Sequence, residues 1–206
     1  MEKEFIKFPF YIIIHPFKGY WDLKYENKGK VSVAFCILAI LTIVAILKRQ
    51  FTGFIVNFNN PYELNSLAEL QYIVFPFFLF CVANWSITTL MDGEGKFREI
   101  LMATAYALVP VVSLYVCNTI ISNVITWEEA TFFFFLESFA MLWFLYLLFV
   151  GIMTVHQYTV TKTIITLLIT VMVMGIIIFL SLLFFSLIQQ MLTFLDTVYK
   201  EIMYRV

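Results

Sequence analysis

The stretch NWSITTLMDGEGKFREILMATAYALVP, from Asn84 to Pro110, decides how the rest of the chain is arranged. It contains the end of one apolar run, the short charged turn DGEGKFR and the start of the next apolar run. Long apolar segments surround it, so the residues that specify more than membrane insertion are concentrated here. The stretch specifies membrane architecture and a candidate docking site, and nothing in it indicates a reaction.

The composition of the chain places it in the membrane. Of its 206 residues, 62% are hydrophobic and only 13% are charged. A soluble domain of this size needs far more polar surface, whereas a chain solvated by lipid does not. The net charge of −1 gives no attraction to nucleic acid. Cys36, Cys81 and Cys117 lie far apart in apolar runs, and we expect them to be buried as small hydrophobic residues.

Residues 1–30 are predicted to lie at the cytoplasmic membrane surface. They combine aromatic residues with six lysines, and Pro9 and Pro16 divide their apolar part into pieces too short to cross a bilayer. The pattern lacks a small-residue cleavage site, so it does not resemble a signal peptide.

The apolar runs predict an all-α fold, an integral membrane bundle of five transmembrane helices with an interfacial N-terminal segment. Residues 31–192 form the bundle, with spans at 31–47, 70–91, 99–125, 131–154 and 163–191. The last span is about 44 Å long if wholly helical, so it must tilt or project beyond the hydrocarbon. Residues 193–206 predict an amphipathic tail, in which Asp196 and Lys200 are spaced for a helical ion pair.

The basic residues predict the orientation in the membrane. Five spans put the termini on opposite sides, and a cytoplasmic N-terminus places nine basic residues inside and four outside. This excess favours a plasma-membrane protein with its N-terminus in the cytoplasm and its C-terminus outside. Lys48 and Arg49 oppose the trend, because they would lie on the outer side.

The second and third spans predict a specific hydrogen bond. Asn84 and Tyr106 each lie about seven residues from the turn between these spans, roughly 10 Å deep. Pro110 cannot donate to the carbonyl of Tyr106, and a carbonyl freed inside lipid needs another donor. We therefore expect Asn84, one turn from Thr88, to donate to that carbonyl. The alternative is that Asn84 faces another span.

The turn itself permits several interpretations. Gly93, Gly95 and Lys96 faintly resemble a phosphate-binding loop, but the spacing of that motif and its preceding strand are absent. Asp92 and Glu94 could hold a divalent cation, although carboxylates in an exposed turn are usually hydrated. Glycine accepts positive φ, so a tight reversal is the structural interpretation and partner docking is the functional alternative.

Two further ionisable residues are candidates for function. Glu137 lies within the fourth apolar run, where it would suit a proton or cation pathway or else lie at the outer interface near Glu128 and Glu129. His156, at the inner end of that span, would act as a proton switch or make an interfacial hydrogen bond. No nucleophile and base pair and no metal-ligand spacing accompanies them, so we expect no enzyme, cofactor or metal.

A set of residues in fixed order resembles the Yip family of small multispanning membrane proteins. The resemblance covers residues 15 to 190 and rests on Trp85, Leu90, Asp92, Gly93, Gly95, Phe97, Ile100, Tyr106, Pro110 and His156. The bacterial branch is more similar than the eukaryotic branch, whose Asp-Leu-Tyr-Gly-Pro motif is absent here.

The resemblance implies a five-helix bundle with a cytoplasmic N-terminus, which acts through other membrane proteins and has no known catalysis. Some bacterial members resemble accessory components encoded beside ABC transporters. We therefore expect a non-enzymatic accessory or scaffold protein, whose partners are membrane lipids, integral membrane proteins such as ABC transporter subunits, and a second copy of the chain. The alternative is a small-solute or ion transport component in which Asn84, Tyr106, Asn118 and Glu137 line a polar route.

Overall fold

The computed structural model describes residues 2–58, 60 and 63–204, and within them it confirms the all-α fold. Helices make up 83% of the structure, and the described residues contain no strand. Five helical segments are long and apolar enough to cross a membrane, so the chain is a multi-pass membrane protein.

The N-terminal segment folds as two short helices, α1 (Glu2–Ile14) and α2 (Pro16–Tyr25). The membrane-length segments are α3 (Val31–Phe51), α4 (Ser66–Leu90), α5 with α6 (Phe97–Ala107 and Val109–Ile121), α7 (Ala130–His156) and α8 (Val160–Tyr204). Each segment begins before or ends after the corresponding apolar run. A helix does not have to stop where its sequence becomes polar, because the interface solvates charged side chains while the backbone remains hydrogen-bonded.

The third span bends at Leu108, where α5 ends and α6 begins. Pro110 lies in the first turn of α6. The N–H groups of a first turn have no partner within the helix, so the proline costs no hydrogen bond there, and its fixed φ suits the new helix. The N–H of Leu108 donates to the carbonyl of Ala105 at 3.1 Å, a tighter turn than that of an α-helix. The proline predicted to kink this span therefore divides it into two helices.

The centre of the bundle is α5. Every residue from Ile100 to Ala107 is buried, because α3, α4 and α7 surround this helix. Ala103, Ala105 and Ala107 present almost no side chain, which lets neighbouring helices approach closely. The helix that follows the charged turn is thus the element around which the others pack.

The N-terminal segment is part of the core rather than only a surface anchor. Ile12, Tyr20 and Leu23 are fully buried, and α2 packs mainly against α7. Gly19 permits the tight α1–α2 hairpin, since a Cβ there would lie 2.6 Å from Cγ1 of Ile12. The prediction of a purely interfacial segment missed this docking because the short apolar pieces are interrupted by lysines.

The connections separate into two groups at opposite ends of the bundle. At the end that contains α2, Lys24 of this helix contacts the α4–α5 turn, and His156 and Tyr158, next to the α7–α8 turn, contact the same turn. At the opposite end, the segment after α3 meets the end of α6, where the N–H of Gly53 donates to Ser122 Oγ at 2.9 Å. This alternation is what five membrane crossings require.

The last helix, α8, contrasts with the rest of the bundle. It runs unbroken for 45 residues and absorbs the tail predicted as a separate segment. Only Thr163, Thr166 and Thr170 are buried along its length, and residues 179–204 are exposed except for Ile188. The predicted ion pair of Asp196 and Lys200 is present, with Lys200 Nζ 2.6 Å from Asp196 Oδ2.

The cysteines differ from expectation. Cys81 is buried, as predicted, but Cys36 and Cys117 are exposed on the surfaces of α3 and α6. A small apolar side chain can face lipid as readily as protein, so the sequence could not distinguish these two positions.

Candidate functional site

Residues 91–96 form a compact corner between α4 and α5 at the N-terminal end of the bundle. Asp92 adopts a left-handed φ of 54°, whereas Gly93 and Gly95 do not have positive φ. The expectation that the glycines supply the left-handed conformation is therefore wrong. They supply space, since an added Cβ would lie 2.5 Å from His156 Nδ1 at Gly93 and 2.5 Å from Val155 Cγ1 at Gly95.

His156 and Tyr158 hold this corner in place. The N–H of Gly95 donates to His156 Nδ1 at 3.3 Å, and the hydroxyl of Tyr158 donates to the carbonyl of Met91 at 3.1 Å. The end of α4 has carbonyls without helical partners, and the phenol satisfies one of them. Burial raises the pKa of Tyr158, and the Asp92 carboxylate raises it further, so the hydroxyl remains a donor.

The second short helix, α2, closes over the corner from the other side. Lys24 Nζ lies 2.8 Å from Glu94 Oε2. Burial lowers the pKa of Lys24, but hydrogen bonds with Glu94 and Tyr25 raise it overall, so the ammonium stays charged. One turn earlier, the ring of Tyr20 lies against Gly151, where an added Cβ would be 3.0 Å from Cζ.

The residues along the corner and the start of α5 alternate between exposed and partly buried positions. Gly93, Gly95 and Phe97 are partly buried, and the intervening charged residues are exposed, namely Asp92, Glu94, Lys96 and Arg98. Glu99 accepts from the N–H of Lys96 at 3.1 Å and so caps α5. The arrangement is a fixed loop with a mixed-charge outer face.

Asn84 does not bond to the carbonyl of Tyr106, and this expectation is corrected. Its Nδ2 donates to Oγ1 of Thr170 on α8 at 3.2 Å, which is the alternative of a contact with another span. Thr88 Oγ1 donates back to the carbonyl of Asn84 at 2.8 Å. Asn84 lies on the face of α4 that meets α8, so it ties the last span to the bundle.

Tyr106 has a different structural role from the one predicted. Its hydroxyl accepts from the N–H of Lys30 at 2.9 Å and lies 3.2 Å from the carbonyl of Lys30. The side chain thereby fixes the start of α3 against α5. Depth counting considered only the backbone carbonyl and could not reveal this bond, because the partner is 76 residues away.

Trp85 and Phe97 form an aromatic contact beside the corner. Their ring centroids are 5.9 Å apart at an interplanar angle of 74°, an edge-to-face arrangement. Trp85 is about half exposed, so the pair lies at the surface of the bundle where α4 and α5 begin to separate.

The opposite end of the bundle contains a charged cavity that the sequence did not predict as a site. Its volume is about 400 Å³, and its wall includes Lys48, Arg49, Glu69 and Glu137. Lys48 forms an ion pair with Glu137, and Arg49 forms one with Glu69. Lys48 Nζ also lies 4.1 Å from the ring centroid of Tyr115. Part of the signal was present in the sequence, because Lys48 and Arg49 opposed the predicted orientation and Glu137 was already a candidate functional residue.

The polar residues considered for a transport route have separate partners. Asn118 Nδ2 donates to the carbonyl of Phe133 at 3.1 Å, while Asn84 bonds to α8 and Tyr106 to the start of α3. Glu137, the fourth residue considered for the route, lines the charged cavity, whereas Asn84, Tyr106 and Asn118 do not. Within the described part of the chain, no three His, Cys, Asp or Glu side chains are grouped to hold a metal ion.

Comparison with protein families identifies the chain. A family model for the Yip1 domain matches residues 10–188. The chain belongs to the Yip1 domain family. Comparisons with curated proteins and with solved structures find no match.

The Yip1 domain of this chain includes nearly all the features described above. The corner, the Asn84–Thr170 bond and the charged cavity lie within the matched residues, and residues 189–204 of α8 lie beyond them. The resemblance inferred from the ordered motif is therefore confirmed. Membership of the family describes a multi-pass membrane protein and assigns no reaction.

Proposed function

We propose that this Yip1 domain protein is a non-enzymatic accessory or scaffold protein that binds other integral membrane proteins. The observation that supports the proposal best is the unpartnered second half of α8. At 1.5 Å per residue, the 45 residues of α8 extend about 68 Å, more than twice the thickness of the hydrocarbon core. Lipid can solvate only part of this helix.

The end of α8 carries an apolar stripe where lipid cannot cover it. Leu195, Val198 and Ile202 lie on one side of the helix, and Asp196 and Lys200 form an ion pair beside them. Apolar surface in water costs about 25 cal/mol per Å², so a stripe of this kind favours a partner. A second amphipathic helix from another membrane protein would cover it.

The corner provides a second surface for contact. Its exposed charges comprise two acids, Asp92 and Glu94, followed by two bases, Lys96 and Arg98. Contacts with His156, Tyr158 and Lys24 hold the loop in place, so a partner would meet a preorganised loop. In the orientation that we propose, with the N-terminus in the cytoplasm of a plasma-membrane protein, the corner faces the cytoplasm and the end of α8 faces outward.

The proposal includes no catalysis, and the structural roles of three polar side chains support this. Tyr106 binds the backbone of Lys30, Tyr158 binds the end of α4, and Thr88 bonds to the carbonyl of Asn84. Groups used in this way are poor candidates for acids, bases or nucleophiles.

Photo-crosslinking in native membranes tests the scaffold function. A crosslinking residue at Leu195 or Ile202 should give protein adducts, and one at Thr197, on the opposite side of α8, should not. Equal adducts from all three positions, or adducts with lipid alone, would contradict the proposal. Conductance by the purified chain in liposomes would favour the transport alternative instead.

The identity of the partner is a finer proposal, namely a subunit of an ABC transporter. It rests on the resemblance to bacterial accessory components. Stoichiometric co-purification in mild detergent should recover transporter subunits with the intact chain, and substitution of Leu195 and Ile202 by Glu should release them. Recovery of the same subunits with the intact chain and with the substituted chain would show that transporter binding does not depend on these residues of α8.

Cysteine labelling tests the proposed orientation. In a chain without its native cysteines, Thr126→Cys should react with an impermeant reagent on intact cells, and Glu94→Cys should react only after permeabilisation. These positions lie at opposite ends of the bundle, so the reverse pattern would invert the topology.

A further inference from the structure

The charged cavity at the opposite end of the bundle has the properties of a ligand site. We propose that it binds the headgroup of a zwitterionic phospholipid that carries a primary ammonium, as phosphatidylethanolamine does. This goes beyond the scaffold function, which does not use the cavity. A volume of about 400 Å³ falls in the range of small-molecule sites.

The charges of the cavity match a zwitterion. Lys48 and Arg49 are neighbours at the end of α3, and their carboxylate partners come from α7 and α4. The four side chains retain between 13% and 28% of their exposure, so they are largely removed from water but can still be reached. The net charge of the two cations and two carboxylates is zero. A zwitterionic ligand, whose own net charge is zero, leaves the net charge of the occupied cavity at zero.

The cations suit a phosphate. The guanidinium of Arg49 uses Nη1 for Glu69, and its Nε is buried without a hydrogen-bond partner among the described residues. A guanidinium presents several donors in a fixed fork that fits phosphate oxygens, and the adjacent ammonium of Lys48 adds a second positive charge.

The carboxylates suit an ammonium with N–H donors. Glu69 and Glu137 each have one cationic partner, and a carboxylate has about four acceptor positions. The ring of Tyr115, already close to Lys48, adds a face that attracts cations. A primary ammonium can donate to both carboxylates, whereas a trimethylated ammonium has no N–H to donate.

The surroundings favour a lipid over a soluble zwitterion. Ala45, Val56 and Phe133 provide apolar wall, and the rings of Phe58 and Phe134 are stacked with centroids 6.3 Å apart. Phe58 is strongly exposed, so an apolar surface continues beyond the cavity. The cavity also lies where the membrane spans end, which is the depth of lipid headgroups.

Native mass spectrometry of the detergent-solubilised chain tests the site with dioleoyl lipids of three headgroups. Phosphatidylethanolamine should bind about tenfold more tightly than phosphatidylcholine, since the latter cannot make the charge-assisted hydrogen bonds. Phosphatidylglycerol, with no ammonium, should also bind more weakly. Equal or tighter binding of phosphatidylglycerol would overturn the proposal.

Two variants identify the cavity as the place of binding. Glu137→Gln should weaken phosphatidylethanolamine binding about tenfold, and Glu128→Gln, an exposed acid outside the cavity, should have no effect. Because Glu137→Gln leaves Lys48 unpaired and could unfold the chain, Ala45→Phe provides an independent test by filling the cavity without changing its charge. Unchanged binding by a folded Ala45→Phe variant would overturn the assignment.

Soluble glycerophosphoethanolamine, which keeps the phosphodiester and the primary ammonium of the lipid headgroup, distinguishes a lipid from a free zwitterion. At equal concentration it should compete for the site at least about tenfold less well than the lipid, since it lacks the acyl chains that the aromatic wall would contact. Competition equal to that of the lipid would overturn the lipid assignment.

Discussion

At Gly93 and Gly95 the backbone of the corner passes within van der Waals distance of His156, in conformations that other residues also adopt. The left-handed residue of the turn is Asp92, whose short polar side chain tolerates that conformation. Glycine is therefore required here because its neighbours leave no volume for a side chain.

Replacement of Gly95 by alanine should destabilise the bundle. The added Cβ would lie 2.5 Å from Val155 and 2.7 Å from Cε1 of His156, both in buried residues, and overpacking of this kind costs about 1–3 kcal/mol. Gly175→Ala is the matched control, because nothing lies within 4 Å of its Cβ position. Unfolding by SDS titration in mixed micelles should show a loss for Gly95→Ala and about 0.5–1 kcal/mol of gain for the control.

The bond between Asn84 and Thr170 should give a measurable coupling energy. In a double-mutant cycle, Asn84→Ala and Thr170→Val should couple by about 1 kcal/mol, since their hydrogen bond is buried within the membrane span. Thr163→Val is the control because Thr163, also buried on α8, bonds to the carbonyl of Thr159. Coupling of the same size in both cycles would contradict the assigned bond.

Residue partners were the least predictable part of the structure. Asn84 was correctly placed inside a span next to Thr88, but the face of α4 that it occupies depends on how α8 packs, which sequence spacing does not contain. The same limit applies to Tyr106, whose partner lies at the start of α3. Depth along a helix follows from counting, whereas rotation about its axis follows from tertiary packing.

Among the helices, α2 differs most from its prediction, because the sequence predicted an interfacial segment and the structure shows a docked helix. It is short and rich in lysine, yet Tyr20 and Leu23 extend into the core and Gly151 provides the recess for the tyrosine ring. Long apolar spans were predictable because their length exceeds what a soluble helix needs. A short docked helix leaves no comparable signal.

Enlarging Gly151 should detach α2. The Cβ of Gly151→Val would lie 3.0 Å from the Tyr20 ring, with two further methyl groups beyond it. Hydrogen exchange should show faster exchange of the amides of residues 16–25, while α5 remains protected. Gly175→Val introduces the same β-branched residue into α8 and should leave exchange in α2 unchanged. Equal protection of α2 in both variants would contradict the docking.

For the whole molecule, the structure separates a packed bundle from an unpacked helical extension. Removal of the residues after Ile188 should change the free energy of unfolding by less than about 0.5 kcal/mol, because residues 189–204 are exposed throughout. Deletion of residues 2–25 is the contrasting variant and should destabilise the bundle strongly, since it empties the space of Tyr20 and Leu23. Comparable losses from both deletions would show that α8 packs along its whole length.

The overall architecture was predictable because lipid imposes it. A chain with so few charges must form helices of membrane length, and the order of the motif residues identified the family. The charged cavity was not predictable as a site, because it depends on three helices bringing Lys48, Arg49, Glu69 and Glu137 together. Lys48, Arg49 and Glu137 were noticed individually in the sequence, whereas Glu69 was not, and the proximity of the four residues was not predicted.

The contact between Tyr20 and Gly151 also determines when the protein can finish folding during synthesis. The two residues are 131 positions apart in the sequence, so at about 5–20 residues per second the ribosome needs roughly 7–26 s to make the second after the first. During that interval the α7 part of the site that α2 occupies does not yet exist. We therefore expect α2 to complete its docking only after α7 has been inserted, with its lysines and aromatic rings at the membrane surface until then.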